Sequence, residues 1–563
     1  MLHTLNPFDR LRLGSYPSLM EDLTIRGNVV DCVAKSITPS LIKVRRGKIF
    51  EISPLNDLPD PTLPYITPGF IDSHVHIESS MLTPSEFARL AVVHGTVSTV
   101  SDPHEIANVC GMDGVRFMID DGRTVPFKFN FGAPSCVPAT VFETAGDELD
   151  SSDVRALLET PEVRYLSEMM NFPGAIAGEE EVLKKISAAH ELGKPVDGHA
   201  PGLSGDGLKR YIDRGISTDH ECFTIEEAQE KLALGMKIII REGSAAKNFD
   251  ALIPLIDQHP EMVMFCSDDK HPDSLVAGHI NSLCARAVDL GYNHFNVLRA
   301  ACVNPVRHYK LDVGTLKTGD PADFAVLQDL RSFDVIATYI NGQKVADSGK
   351  TLIAKRVSES TPINRFGIRE ISPKDLAIEA KSDYILPTIE CIDGQLITKK
   401  LALKPKKANN NWCSDTASDV LKMVVVNRYN QAPIAKAFIH KFGLSNGAIA
   451  SSVAHDSHNI VAVGVDDESL ARAINLIIER KGGVSCVGHQ GERILPLPIA
   501  GLMSGDDGYA VAEAYTAIDQ AAKELGSKLA APFMSLSFMA LLVIPHVKLS
   551  DKGLFDGDTF TFY

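Results

Sequence analysis

The sequence predicts an α/β protein. It reads as a TIM-like (β/α)8 barrel, a small β-sandwich domain drawn from both flanks of that barrel, and an additional C-terminal α/β domain. Three observations lead there. Eight short apolar runs alternate with helix-like segments between residues 68 and 310. Turn-punctuated β-rich stretches lie on both sides of that region, and the chain changes texture again beyond residue 365.

Residues 1–67 form the first part of the β-sandwich. Within them "LIKVRRGKIFEISP" alternates apolar and polar residues on either side of a turn, as a hairpin does. The opening stretch, "MLHTLNPFDRLRLGSYPSLM", contains no apolar core of signal-peptide length.

The barrel spans 68–310. Its eight predicted strands are "IDSHVHI", "TVSTVSDPH", "FKFNFGAPS", "VRYLSEMM", "PVDGHA", "GISTDHE", "MKIIIREGS" and "MVMFCSDD". Helix-like segments such as "TPSEFARLAVVHG" and "GEEEVLKKISAAHELG" separate them. Eight β/α units in about 240 residues match the size of this fold, in which the active site lies at the C-terminal ends of the strands. Polar residues cluster at those ends here.

The β-sandwich returns over 311–365, in "GTLKTGDPADFAVLQDL" and "VIATYINGQKV". Residues 366–563 form the C-terminal domain. The Pro/Lys-rich "ALKPKKANN" marks the change, and "DDESLARAINLIIERKGG" is its clearest amphipathic helix. No internal repeat or long low-complexity tract interrupts the chain.

Composition narrows the function. A chain of 563 residues supports two or three domains, and 44% hydrophobic with 23% charged residues is ordinary for a globular protein. The net charge of −16 argues against a nucleic-acid binder, which usually presents a basic face. A small purine or pyrimidine substrate stays open. Ten cysteines without a C-x-x-C favour free thiols in a reducing compartment, hence the cytoplasm. The apolar "FMALLVIPHV" is too short to span a bilayer, so no membrane association is expected. A homodimer is the default assembly.

The chemistry begins at "ITPGFIDSHVHIESSM". Residues two apart in a strand share a face, so His74 and His76 can reach one metal ion together. Alone, the pair could equally be hydrogen-bonded residues of a barrel mouth. Other strand ends carry Glu168 in "YLSEMMN", His199 in "DGHAPG", His220 in "TDHECF" and Asp268 in "CSDDKHP". Four imidazoles and two carboxylates suit Zn, Mn or Fe. They exceed what one open catalytic ion uses, and a two-metal site is the economical account.

A second group also falls near strand ends: Glu78, His104, Glu105, Glu221, Arg241, Glu242, Ser244 and His271. Of these, His104 and Glu221 are the candidates for substrate contact or proton transfer; the others read mainly as loop, capping or supporting groups. His279 belongs with the helix after the eighth strand, and "VNPVRHYKL" reads as packing. In "AHDSHN", His455, Asp456 and His458 have ligand-like spacing. A structural turn is the plainer account, and a loop reaching over the barrel mouth is the alternative.

"PGFIDSHVHIE", the spaced His199 and His220, Asp268 and the flanking β-pieces resemble the amidohydrolase superfamily. More narrowly, "ESSML", "VSDPHEIANVCG", "SEMMNFPG", "DGHAPGLSG", "STDHE" and "CSDDKHP" resemble the bacterial adenine deaminases. The likeness covers nearly the whole chain, through "VVVNRYN", "AHDSHNIVAVG" and "PLPIAGLMS" in the last domain. It implies two divalent ions per chain, with manganese ahead of iron or zinc. His74, His76 and Asp268 would hold the more buried ion, His199 and His220 the second, and Glu168 would bridge them. Many relatives bridge with a carboxylated lysine, but "VRYLSEMMN" contains no lysine. The implied reaction is hydrolytic deamination of adenine to hypoxanthine and ammonia by a metal-bridging hydroxide, serving purine salvage or adenine catabolism. Asp268 would move the solvent proton to the leaving amine.

Rival readings meet specific objections. The single-zinc deaminases combine H-x-E with P-C-x-x-C. His76-Ile77-Glu78 and His259-Pro260-Glu261 offer only the first half. No G-x-G-x-x-G follows an early strand, which removes a dinucleotide-binding reading. A binuclear hydrolase of another aminopurine or of a cyclic amide shares the ligand set and stays open. A non-catalytic scaffold is disfavoured because all six ligand positions are filled.

Overall fold

The computed structural model describes residues 22–56, 58–355, 362–380 and 385–563. The targeting-signal reading of residues 1–20 lies outside them. Leu23–Asp31, Ser36–Arg45 and Lys48–Pro54 pair antiparallel in succession. Between the last two, Arg46 and Gly47 both have positive φ (49° and 75°), which a two-residue hairpin turn of matching twist requires. Tyr65–Pro68 runs parallel to the first strand and antiparallel to Phe324–Leu327. Val335–Ile340, Gln343–Asp347 and Lys350–Thr351 follow. Both flanks of the barrel therefore build one eight-stranded sheet, hydrogen-bonded through its middle. Ile42 and Ile66 from the first flank share its core with Phe324 and Tyr339 from the second.

All eight expected barrel strands are present: Phe70–Val75 (β1), Thr96–Ser101 (β2), Lys128–Ala133 (β3), Val163–Met169 (β4), Val196–Gly198 (β5), Thr218–Asp219 (β6), Lys237–Arg241 (β7) and Val263–Cys266 (β8). β1–β5 form one parallel sheet and β6–β8 another. Isolated parallel bridges, Val196 to Ile216 and Val75 to Asp268, close the two seams. The second seam has a polar pin. Asp72 on β1 is fully buried, accepting from the Ser267 backbone N–H (2.9 Å) and from His279 Nε2 (2.8 Å). His279 thus precedes its helix, Ile280–Asp289, and serves barrel closure. Gly198 is needed where β5 approaches β6, since a Cβ there would lie 2.3 Å from the Thr218 carbonyl oxygen.

The C-terminal domain is a mostly antiparallel sheet of eight strands between Leu386 and Pro496. Its central strand Val420–Val426 is buried throughout, and the run "VLKMVVV" is apolar except for Lys422, whose ammonium bonds the Leu376 carbonyl and Asp467. Val424 and Val426 pack on the helix Asp467–Arg480, through Leu470, Ile474 and Ile477. Met423 and Val425 turn the other way and join a core that includes Ile77, Leu82 and Phe87 of the barrel. One apolar core thus runs through both domains. Polar contacts fix the docking: Arg89 reaches Asp507 at 2.9 Å, and the Gly508 N–H donates to Glu86 at 2.8 Å. Among the described residues, no helix is long and apolar enough to cross a membrane.

Candidate active site

Each of the six ligand candidates lies at, or within two residues of, a barrel strand end. His74 lies on β1 and Glu168 on β4. His76, His199 and His220 directly follow β1, β5 and β6, and Asp268 comes two residues after β8. All six are buried, and the barrel brings them together. Nε2 of His74 and Nε2 of His76 are 3.1 Å apart, and Asp268 Oδ1 is 3.2 Å from the latter. Glu168 divides its oxygens. Oε1 faces His76 at 3.5 Å, while Oε2 faces His199 Nδ1 at 2.6 Å and His220 Nε2 at 3.3 Å.

Surrounding bonds orient these groups. His76 Nδ1 donates to the Asp102 carbonyl at 3.3 Å, which leaves its Nε2 lone pair facing the cluster. Ser135, just beyond β3, donates to the Glu168 carbonyl at 2.5 Å. Asp268 has φ 53°, a left-handed conformation uncommon for a non-glycine residue.

The electrostatics call for positive charge at the centre. Burial pushes His74 down to about 3, helped by His220 and His76 beside it, so it stays neutral and ligand-ready. Burial also opposes charging His220, but Glu168 outweighs it and raises that imidazole to about 9. Desolvation would raise Glu168, yet His199 and His220 hold it well below the ordinary carboxylate range. The donor set fits divalent metal ions: clustered imidazoles face ionised carboxylates, and one carboxylate, Glu168, is shared between two groups of imidazoles.

Around this centre the second group separates. Arg241, at the end of β7, binds Glu221 through both terminal nitrogens and donates to Asp268 Oδ2 at 2.8 Å. Glu221 Oε1 also stands 3.4 Å from His220 Nε2. His104 lies with Nδ1 3.3 Å from Asp102 Oδ2 and 3.6 Å from Glu168 Oε1. Burial works against its charge, but Asp102 and then Asp456 hold its pKa well above the usual value. Glu78 is pushed up to about 8 by burial and by Glu105 beside it. Glu242 pairs with Lys247 and Arg286 away from the centre, and Ser244 bonds Ser274. His271 bonds Tyr515 Oη at 2.6 Å.

The two accounts of "AHDSHN" both apply: residues 455–457 form a turn, and loop 454–459, which carries it, lies over the barrel mouth. His455 Nδ1 is 3.1 Å from Glu105 Oε1, its Nε2 is 3.7 Å from Asp269 Oδ1, and Asp456 Oδ1 is 3.5 Å from His104 Nε2. His458 faces inward, its Nδ1 accepting from the Ala454 N–H at 3.2 Å, and stabilises the loop itself. Leu396 and Leu541 complete the roof, and the cavity beneath it, partly open to the outside, holds about 20 Å³, room for one water.

Sequence reasoning missed Asp102 and Asp269, each beside a residue it chose. The signal was available in "SDPH" and "SDD", where an acidic residue adjoins a strand end. The roof leucines carried no comparable signal.

The sequence matches known proteins over nearly its whole length. Residues 65–345 match the model of the amidohydrolase family, and 395–561 match the adenine deaminase C-terminal domain. An adenine deaminase of Salinibacter ruber is 55% identical over 541 residues, covering 96% of this chain and 98% of that protein. One from a Sulfurovum species is 53% identical over 96% of this chain and 99% of its own. One from Methanosarcina acetivorans is 49% identical, over 95% and 98%.

Proposed function

The chain belongs to the adenine deaminase family, and on that premise we propose that it hydrolyses adenine to hypoxanthine and ammonia at the barrel mouth. The observation that carries the reading is Glu168, whose two oxygens face different imidazoles while Asp268 faces the first of them. In this reading His74, His76 and Asp268 would hold one divalent ion and His199 and His220 another, with Glu168 serving both sets. Manganese is our first choice, ahead of iron and zinc. When bound, such ions supply Lewis acidity that makes a water nucleophilic near neutral pH.

The protein groups then manage protons. The water oxygen bonds to C6 of adenine, and Asp268 Oδ1 takes a water proton. Asp268 passes it to the exocyclic nitrogen, the C6–N bond breaks, and ammonia leaves. Glu221, held by Arg241 beside His220, gives a proton to the ring nitrogen next to C6 as the water oxygen adds, and recovers one from the C6 hydroxyl as the carbonyl of hypoxanthine forms. His104 lies beside Glu168 and steadies the substrate. The ten free cysteines support a cytoplasmic enzyme. We take the working unit to be a homodimer serving purine salvage.

The test is ammonia release from metal-loaded protein, with hypoxanthine identified by chromatography. Adenine should be turned over in preference to adenosine, guanine, cytosine and cyclic ureides. Faster release from a cyclic amide would overturn the reading.

A further inference from the structure

Loop 454–459 belongs to the C-terminal domain, yet it carries a buried carboxylate with a free oxygen into the barrel mouth. Asp456 is 3% exposed and lines the cavity, and its Oδ2 has no hydrogen-bond partner. A buried polar atom left unpaired costs about 1–3 kcal/mol, which a bound water, ion or ligand group can offset. The loop is held firmly. Tyr429 Oη donates to the Ser457 carbonyl at 2.6 Å, and Asn459 Nδ2 donates to the Thr144 carbonyl at 2.9 Å. His455, against Glu105, anchors the same segment to the barrel.

The position of Asp456 selects what it can meet. His104 stands between it and the metal-ligating group, with Nδ1 3.6 Å from Glu168 and Nε2 3.5 Å from Asp456. Asp456 is thus one imidazole ring further out than Glu168. A purine whose C6 lies beside Glu168 projects its five-membered ring away from that centre, on the scale of the same imidazole. That ring carries an N–H in the free base and none once a sugar or methyl group replaces the hydrogen. Leu396 and Leu541 line the same cavity beside Asp456.

We propose that Asp456 is the residue by which the enzyme selects free purine bases, its Oδ2 accepting the imidazole-ring N–H of the substrate. This inference rests on the adenine deaminase reading and adds the recognition of the unsubstituted ring. A site that hydrogen-bonds a substrate N–H rejects the analogue lacking it by about 10⁴-fold or more.

The experiment compares kcat/KM for adenine, 7-methyladenine and 9-methyladenine in the wild type and in Asp456→Ala. The two methylated bases lack the ring N–H. Wild type should prefer adenine by about 10⁴-fold over both. Asp456→Ala should raise KM for adenine and shrink that preference at least tenfold, with metal content unchanged. Asp456→Asn keeps the volume and an acceptor oxygen, and should recover part of the preference; it also serves if the alanine variant does not fold. A wild type that accepts methylated and free bases alike overturns the proposal. So does a variant with the full wild-type preference, because the roof alone would then reject them. No adenine turnover by wild type would instead remove the underlying functional reading.

Discussion

Arg241 joins Asp268 to Glu221, donating to Asp268 Oδ2 at 2.8 Å and to Glu221 Oε2 at 2.9 Å. One guanidinium thereby bridges two buried carboxylates. Burial alone would raise Asp268, but Arg241 first and His76 next hold it far below the ordinary range. Arg241→Met leaves both carboxylates buried without their cation, and should cost about 3–5 kcal/mol of stability. It should also move the acid limb of the kcat/KM profile upward in pH, because Asp268 then protonates sooner. An unmoved limb in a folded variant would separate Asp268 from the proton transfer.

Asp268→Asn keeps the shape of the side chain and removes its basicity. Turnover should fall by about 10²–10⁴-fold, the usual worth of a positioned general base. Circular dichroism should be unchanged. Wild-type turnover in this variant would show that another group carries the proton.

Glu168→Ala removes the carboxylate shared between the imidazoles of β1 and those after β5 and β6. Elemental analysis of the purified variant should give fewer than two metal equivalents per chain. A retained stoichiometry of two would mean that Glu168 does not bridge.

Lys231 is buried, bonded to Asp219 and, at 2.8 Å, to the Ala200 carbonyl. Burial would raise Asp219, but Lys231 outweighs it and brings that carboxyl down to about 2. Its folded-state pKa is depressed, so its contribution to stability is complete above the unfolded value of about 3.9 and lost as pH falls towards 2. Lys231→Met should therefore destabilise the protein by about 3–5 kcal/mol at neutral pH and flatten that acid-side loss. Urea unfolding across the pH series measures both.

The barrel and the ligand candidates were legible because the information is local. Each strand is a short buried run, and five of the eight, β1, β4, β5, β6 and β8, have a candidate side chain at or just beyond their ends. His74, His76, Glu168, His199, His220 and Asp268 could be collected from those five endings without knowing the structure. The roof could not. Leu396 and Leu541 look like any core leucine until the C-terminal sheet docks, and docking depends on Met423 and Val425 facing the barrel rather than their own helix. Asp456 and His104 are hundreds of residues apart, and no periodicity links them. Arg241 was visible as a strand-end residue, but its grip on two carboxylates depends on the curvature that places β6, β7 and β8 side by side.

The shared core has a consequence for how the enzyme comes into being. Synthesis from the N-terminus completes the barrel first, with every proposed metal ligand in place and the surface around Ile77, Leu82 and Phe87 still bare. The chamber acquires its ceiling only when the last third of the chain has been made and has settled onto that surface. A nascent chain therefore passes through an interval in which its mouth is open to solvent and its seam is adhesive. Maturation of the catalyst is, in this sense, an assembly step between two parts of one polypeptide.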